Sequence, residues 1–260
     1  MSTTTLAPPI RMNTAGVNTR PRLDRLVLVE LRKMLNTRAG FWLQLATISL
    51  TAAIVVVRLM VGDAPDHTFA AVLDVALQPA AVLLPVTGVL LVTAEWSQRT
   101  GLITFALVPV RSRILSAKLV ASLILVVAML AVSVAIVAAG VFVASPGEGA
   151  WADAPVLIGQ SAVFLGGGMI TAVAFGAILL ASGPALVTLF ALPSAWAALV
   201  SLHVFTGIAP WVDTARALSP MHEEVMNATQ WAHAASALAI WMLIPLAIGT
   251  WRITRHEITA

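Results

Sequence analysis

The sequence predicts an all-α integral membrane protein: six transmembrane helices, N- and C-termini cytoplasmic, preceded by an amphipathic interface helix. Three observations lead there. The 260 residues are 59% hydrophobic and only 10% charged, with a mean hydropathy of +0.94, whereas a soluble domain carries about a quarter charged residues. Six apolar stretches each come close to the roughly 20 residues that cross a bilayer. The basic residues gather on one side of those stretches, as the positive-inside rule requires of the cytoplasmic side. The alternating segments of a transmembrane β-barrel are not seen in the sequence. With no cysteine, disulfides, thiolate metal sites and thiol redox chemistry are excluded.

Residues 1–21, with Pro8, Pro9, Gly16 and Pro21, read as a flexible cytoplasmic N-terminus. Residues 22–38 read as the interface helix. At helical pitch Leu23, Val27, Leu28, Leu31, Met34 and Leu35 share one side, and Arg22, Arg25, Arg32, Lys33 and Asn36 share the other. Asp24, Val29 and Glu30 interrupt the pattern. Such a helix lies in the headgroup plane with its apolar face down. It serves either as a simple basic anchor to anionic lipid or also as a contact for a cytoplasmic partner.

Residues 39–260 then form the membrane domain. Its spans are expected at 41–61, 69–93, 119–143, 156–181, 185–205 and 233–251. Ser182-Gly183-Pro184 separates the fourth and fifth, and a longer outer segment, 206–232, precedes the sixth. A cytoplasmic N-terminus puts Arg11, Arg20, Arg22, Arg25, Arg32, Lys33, Arg38, Arg99, Arg111, Arg113, Lys118, Arg252 and Arg255 inside. Only Arg58 and Arg216 fall elsewhere. Trp42, Trp96 and Trp251 mark the inner boundary, and Trp151, Trp211 and Trp231 the outer one, as aromatic belts do.

Two intramembrane charges stand out. Arg58 and Asp74 lie about 5 and 8 Å in from the outer ends of the first two spans, at 1.5 Å per residue. Charges at such depth are costly and usually paired, so an Arg58–Asp74 pair is one expectation; the other is that Arg58 snorkels to the outer headgroups and Asp74 lies in water before a later-starting span.

The connection 94–118 concentrates the remaining polar chemistry. Glu95, Arg99, Arg111, Arg113 and Lys118 surround Leu102, Ile103, Phe105 and Leu107, and Pro109 breaks the helical pattern. An apolar knob rimmed by charge suits docking to a protein groove. Other chemistry is poorly supported. There is no phosphate-cradling G-x-x-x-x-G-K-[ST] run. His222-Glu223-Glu224 and His256-Glu257 lack a second histidine at H-E-x-x-H spacing, so no metal site is expected. Gly166-Gly167-Gly168 sits within an apolar span and reads as close helix packing.

Glu95, Thr100, Leu107, Pro109, Arg111 or Arg113, and Lys118 together resemble the signature between the second and third spans of ABC-2-type transporter permeases. The order of interface helix, six spans, polar connection and long outer segment resembles that family too. The resemblance implies that 94–118 is the coupling loop, with Glu95, Arg99, Thr100, Leu102, Phe105, Pro109, Arg111, Arg113 and Lys118 engaging a separate ATP-binding cassette subunit. It implies a second permease copy, in a homodimer or heterodimer, a multi-pass place in the bacterial cell membrane, and export as the direction. ATP and Mg would sit on the partner subunit; this chain would bind no cofactor, contact lipid, engage no nucleic acid and be no enzyme itself. Two other classes stay open: a membrane-anchored enzyme or protease, and a non-transporting tether for an ATPase in signalling or resistance.

Overall fold

The computed structural model describes residues 22–61, 67–97, 111–144, 149–200 and 207–255. All regular structure among them is helical: α1 (Leu23–Asn36), α2 (Arg38–Val61), α3 (Phe69–Ser97), α4 (Arg111–Ala144), α5 (Ala154–Leu179), α6 (Ser182–Val200), α7 (Ala209–Val212), α8 (Thr214–Leu218), α9 (Pro220–Glu223) and α10 (Ala228–Leu238). A π-helical turn, Ala239–Leu243, joins α10 to α11 (Ile244–Arg255). Six of the resulting rods are long and apolar enough to cross a membrane: α2, α3, α4, α5, α6 and the α10–α11 pair.

Helix boundaries follow local chemistry. The chain turns sharply at Thr37, whose backbone is extended and whose hydroxyl accepts from the Gly40 amide at 3.1 Å. A Cβ at Gly40 would stand 1.9 Å from the Met34 carbonyl oxygen, so only glycine fits this corner. Helix α4 begins at Arg111, two turns before the expected span, and its 34 residues are about 51 Å long. The expected loop 94–118 is therefore helical at both described ends. The break between fourth and fifth spans falls at Leu180, in the left-handed region at φ 56°, and Ser182 already opens α6. The sixth span starts earlier than expected because Asn227 and Gln230 form a reciprocal capping box that fixes the start of α10.

Helices α3 and α5 form the centre of the bundle, and α2, α6 and α10–α11 pack around them. Close approach is possible where side chains vanish. A Cβ at Gly249 would meet the Ala177 Cβ at 2.8 Å, so α11 lies against α5 almost backbone to backbone. Polar clasps cross the apolar interior: Gln44 donates to the Thr87 hydroxyl at 3.1 Å, and Thr51 to the Ala76 carbonyl at 3.1 Å. Arg252 donates to the carbonyl of Ile178, which places a cation at the C-terminal end of α5, where the helix dipole favours it.

The bundle has two distinct ends. One carries α1, the starts of α2, α4 and α6, and the ends of α3, α5 and α11. Arg22, Arg25, Arg32, Lys33, Arg38, Arg111, Arg113, Lys118, Arg252 and Arg255 belong to it. The far end carries 67–69, 149–154 and 207–228, with only Arg58 and Arg216 as described cations. Trp42 and Trp251 are exposed at the first end, and Trp151, Trp211 and Trp231 at the far end. Among the described residues, the expected charge asymmetry and tryptophan pattern coincide with the two ends of the bundle.

Candidate functional site

Helix α1 packs on α4, α2 and α3, and the face it turns inward holds Val27, Glu30 and Met34. This differs from the apolar stripe expected from the sequence: Leu28 and Leu35 stay about half exposed. The inward face is rotated because Glu30, an apparent blemish in the pattern, is its centre. Its carboxylate meets two ammonium groups. Lys33 Nζ donates to Oε1 at 2.7 Å, and Lys118 Nζ donates to Oε2 at 2.8 Å.

Glu95, in the last turns of α3, closes the cluster. Its Oε1 accepts from Lys33 at 2.7 Å and from Lys118 at 3.0 Å. Lys118 spends its third proton on the Leu91 carbonyl at 3.0 Å, so all three of its donors are satisfied. Two carboxylates and two ammonium groups thus cancel in charge, tying α1, α3 and α4 together. The Lys118 side chain is 4% exposed, Glu30 6% and Glu95 8%. Lys33, at 39%, is the one member that reaches outward. Burial works against its charge, but the hydrogen bonds and attraction of Glu30, then of Glu95, outweigh it and hold its pKa above the ordinary lysine value.

Such a cluster resists rearrangement. Taking charges out of water costs several kcal/mol per ion and is offset only by good geometry and full hydrogen bonding. Lys118, the most buried member, meets both conditions. A small hollow beside it is lined by Val92, Glu95, Trp96, Ile114, Leu115, Lys118 and Ile253. The cluster therefore sits at the root of the connection between α3 and α4, with apolar walls around it.

Of the residues expected in coupling, the structure brings Glu95 and Lys118 together. Arg113 is half-buried in the first turn of α4 and forms no ion pair among the described residues. Arg111 opens α4. Arg99, Thr100, Leu102, Phe105 and Pro109 lie outside the described residues. Of the interface-helix cations, Lys33 joins the cluster, while Arg22, Arg25 and Arg32 are exposed. Arg22 has only an open pair with Asp24 at 3.5 Å. Sequence reasoning missed Glu30. The signal that could have found it is a lone carboxylate on the apolar side of an amphipathic helix, in a chain that also sinks Lys118 into the start of an apolar span.

Asp74 has a partner other than the expected Arg58. Its Oδ1 lies 2.7 Å from His222 Nδ1. The register of α2 and α3 explains the difference. Thr51 faces Ala76, so in antiparallel helices Arg58 comes level with Phe69, about 7–8 Å beyond Asp74 at 1.5 Å per residue.

The chain was compared with known protein families and with curated proteins, and it matches neither a family model nor a curated sequence.

Proposed function

We propose that this chain is the membrane-spanning permease subunit of an ATP-binding cassette transporter of the ABC-2 type, working as an exporter in the bacterial cell membrane. The observation that carries the reading is the Glu30–Lys33–Glu95–Lys118 cluster. It fastens the amphipathic α1 to both helices that flank residues 98–110. A push on that connection from a docked ATPase would reach α1, α3 and α4 as one unit, because none can move without exposing a buried charge.

The remaining parts fit the same reading. Six helices are long and apolar enough to span, and the cation-rich end becomes the cytoplasmic one, with both termini there. On α1, Leu28 and Leu35 are exposed beside Arg25 and Arg32, an arrangement suited to an anionic headgroup plane. In this reading ATP and Mg belong to the partner subunit, and a second copy of the permease completes the pathway.

Co-expression with a cassette ATPase, sought first among the neighbouring genes, tests the reading. The two should co-purify, and ATP should drive efflux from inverted vesicles. Deleting residues 98–110 should abolish co-purification while the helical bundle still inserts. A chain that neither retains an ATPase nor supports ATP-dependent transport would overturn the proposal.

A further inference from the structure

At the far end of the bundle a second polar cluster has a different character. Asp74 projects from α3, and His222 and Glu223 from α9, the last short helix before α10. One oxygen of each carboxylate and one imidazole nitrogen all lie within 4.8 Å of one another. The His222 side chain is 7% exposed, Asp74 is 34% exposed, and Glu223 is open to the surface. Phe164 of α5 packs on the imidazole with ring centroids 4.8 Å apart. The backbone that carries His222 and Glu223 is also held. Gln160 of α5 donates to the carbonyls of Met221 and Glu224 at 3.1 and 2.7 Å and accepts from the Met226 amide at 3.0 Å.

We propose that Asp74, His222 and Glu223 bind a zinc-class divalent ion. The donor set is one imidazole and two carboxylates, which suits zinc and its first-row neighbours. With bonds of about 2.0–2.2 Å, ligand atoms around one ion stand about 3–4 Å apart. Asp74 and His222 are already closer than that, and a rotation of the exposed Glu223 closes the rest. The charge balance points the same way. Two carboxylates face one imidazole, no Lys or Arg pairs with either among the described residues, and Glu223 has no hydrogen bond there. Three protein ligands leave a position for water, and the ion would clip the connector of the sixth span to α3.

Zinc chloride titrated into the untagged protein in detergent, followed by calorimetry, tests the site. One equivalent should bind, and MgCl2 and CaCl2 at the same concentrations should not compete, since both prefer all-oxygen shells. Asp74→Asn should weaken zinc at least about tenfold, and so should His222→Asn, which keeps a side-chain amide able to donate to Asp74. Glu223→Gln, at an exposed and unbonded position, should do the same without touching the fold. It decides alone if the other variants do not fold. No saturable zinc binding by the wild type, or unchanged affinity in Glu223→Gln, would overturn the site.

Discussion

The two ends of the bundle solve the problem of polar groups in an apolar chain in opposite ways. Glu30, Lys33, Glu95 and Lys118 balance their charges and satisfy Lys118 completely. Asp74, His222 and Glu223 carry excess negative charge and remain partly open. A balanced, buried cluster holds helices in one arrangement and has no capacity left for a ligand. An unbalanced, accessible one has that capacity. The contrast matches the mechanical role proposed for the cation-rich end and the binding role proposed for the far end.

The largest expected effect breaks the balanced cluster. Lys118→Met leaves Glu30 and Glu95 buried with Lys33 as their remaining cation. Removing one partner of a buried pair costs about 3–5 kcal/mol. Unfolding by SDS titration should show a loss of that order. Glu95→Gln alone should also destabilise, but Glu95→Gln with Lys118→Met should cost less than the sum of the two. Strict additivity would mean that the two groups do not act as one network.

How much of this contrast was legible in the sequence differs between the ends. Composition and apolar run length located six helices long and apolar enough to span, and the structure moves their boundaries, most of all at α4, which starts two turns early. Glu95, Lys33 and Lys118 were legible as important because charge is scarce in this chain. Glu30 was not, because helical patterning averages over a face and treats one carboxylate as noise. The Asp74–His222 contact spans 148 positions, and Asp74 alone was legible. The α2–α3 register, which a pattern of small and apolar residues does not specify, carries Arg58 past it, and the short helices before α10 bring His222 to it instead. Residues Arg99 to Pro109, on which the family resemblance leans most, lie outside the described structure.

A middle-sized effect sharpens the far end. Gln160→Leu removes three hydrogen bonds that fix residues 221–226. Each buried group left without a partner costs about 1–3 kcal/mol, and here part of that is recovered by water from the open side. Amide exchange across 221–226 should accelerate clearly while α3 and α4 stay protected. Uniform acceleration through the bundle would mean that the connector is part of the central fold and not a separately held segment.

The smallest effect tests the outward member of the balanced cluster. Lys33→Met leaves Lys118 bridging Glu30 and Glu95, and Lys33 is partly exposed, so the loss should fall near the upper range of surface pairs, about 1 kcal/mol. Its pH dependence has a definite sign. The pKa of Lys33 is raised in the folded protein above the ordinary lysine value of 10.5. Its stabilisation is then complete below that unfolded value and is lost as pH rises through the folded one. The stability difference between wild type and Lys33→Met should therefore stay constant from neutral pH to about 9, then shrink only above 10.5. Lys33→Arg, which keeps its charge throughout, should remove the alkaline decline. A difference that already fades between pH 7 and 9 would show that Lys33 is not held charged by Glu30 and Glu95, and that the balanced cluster is smaller than the four residues that compose it.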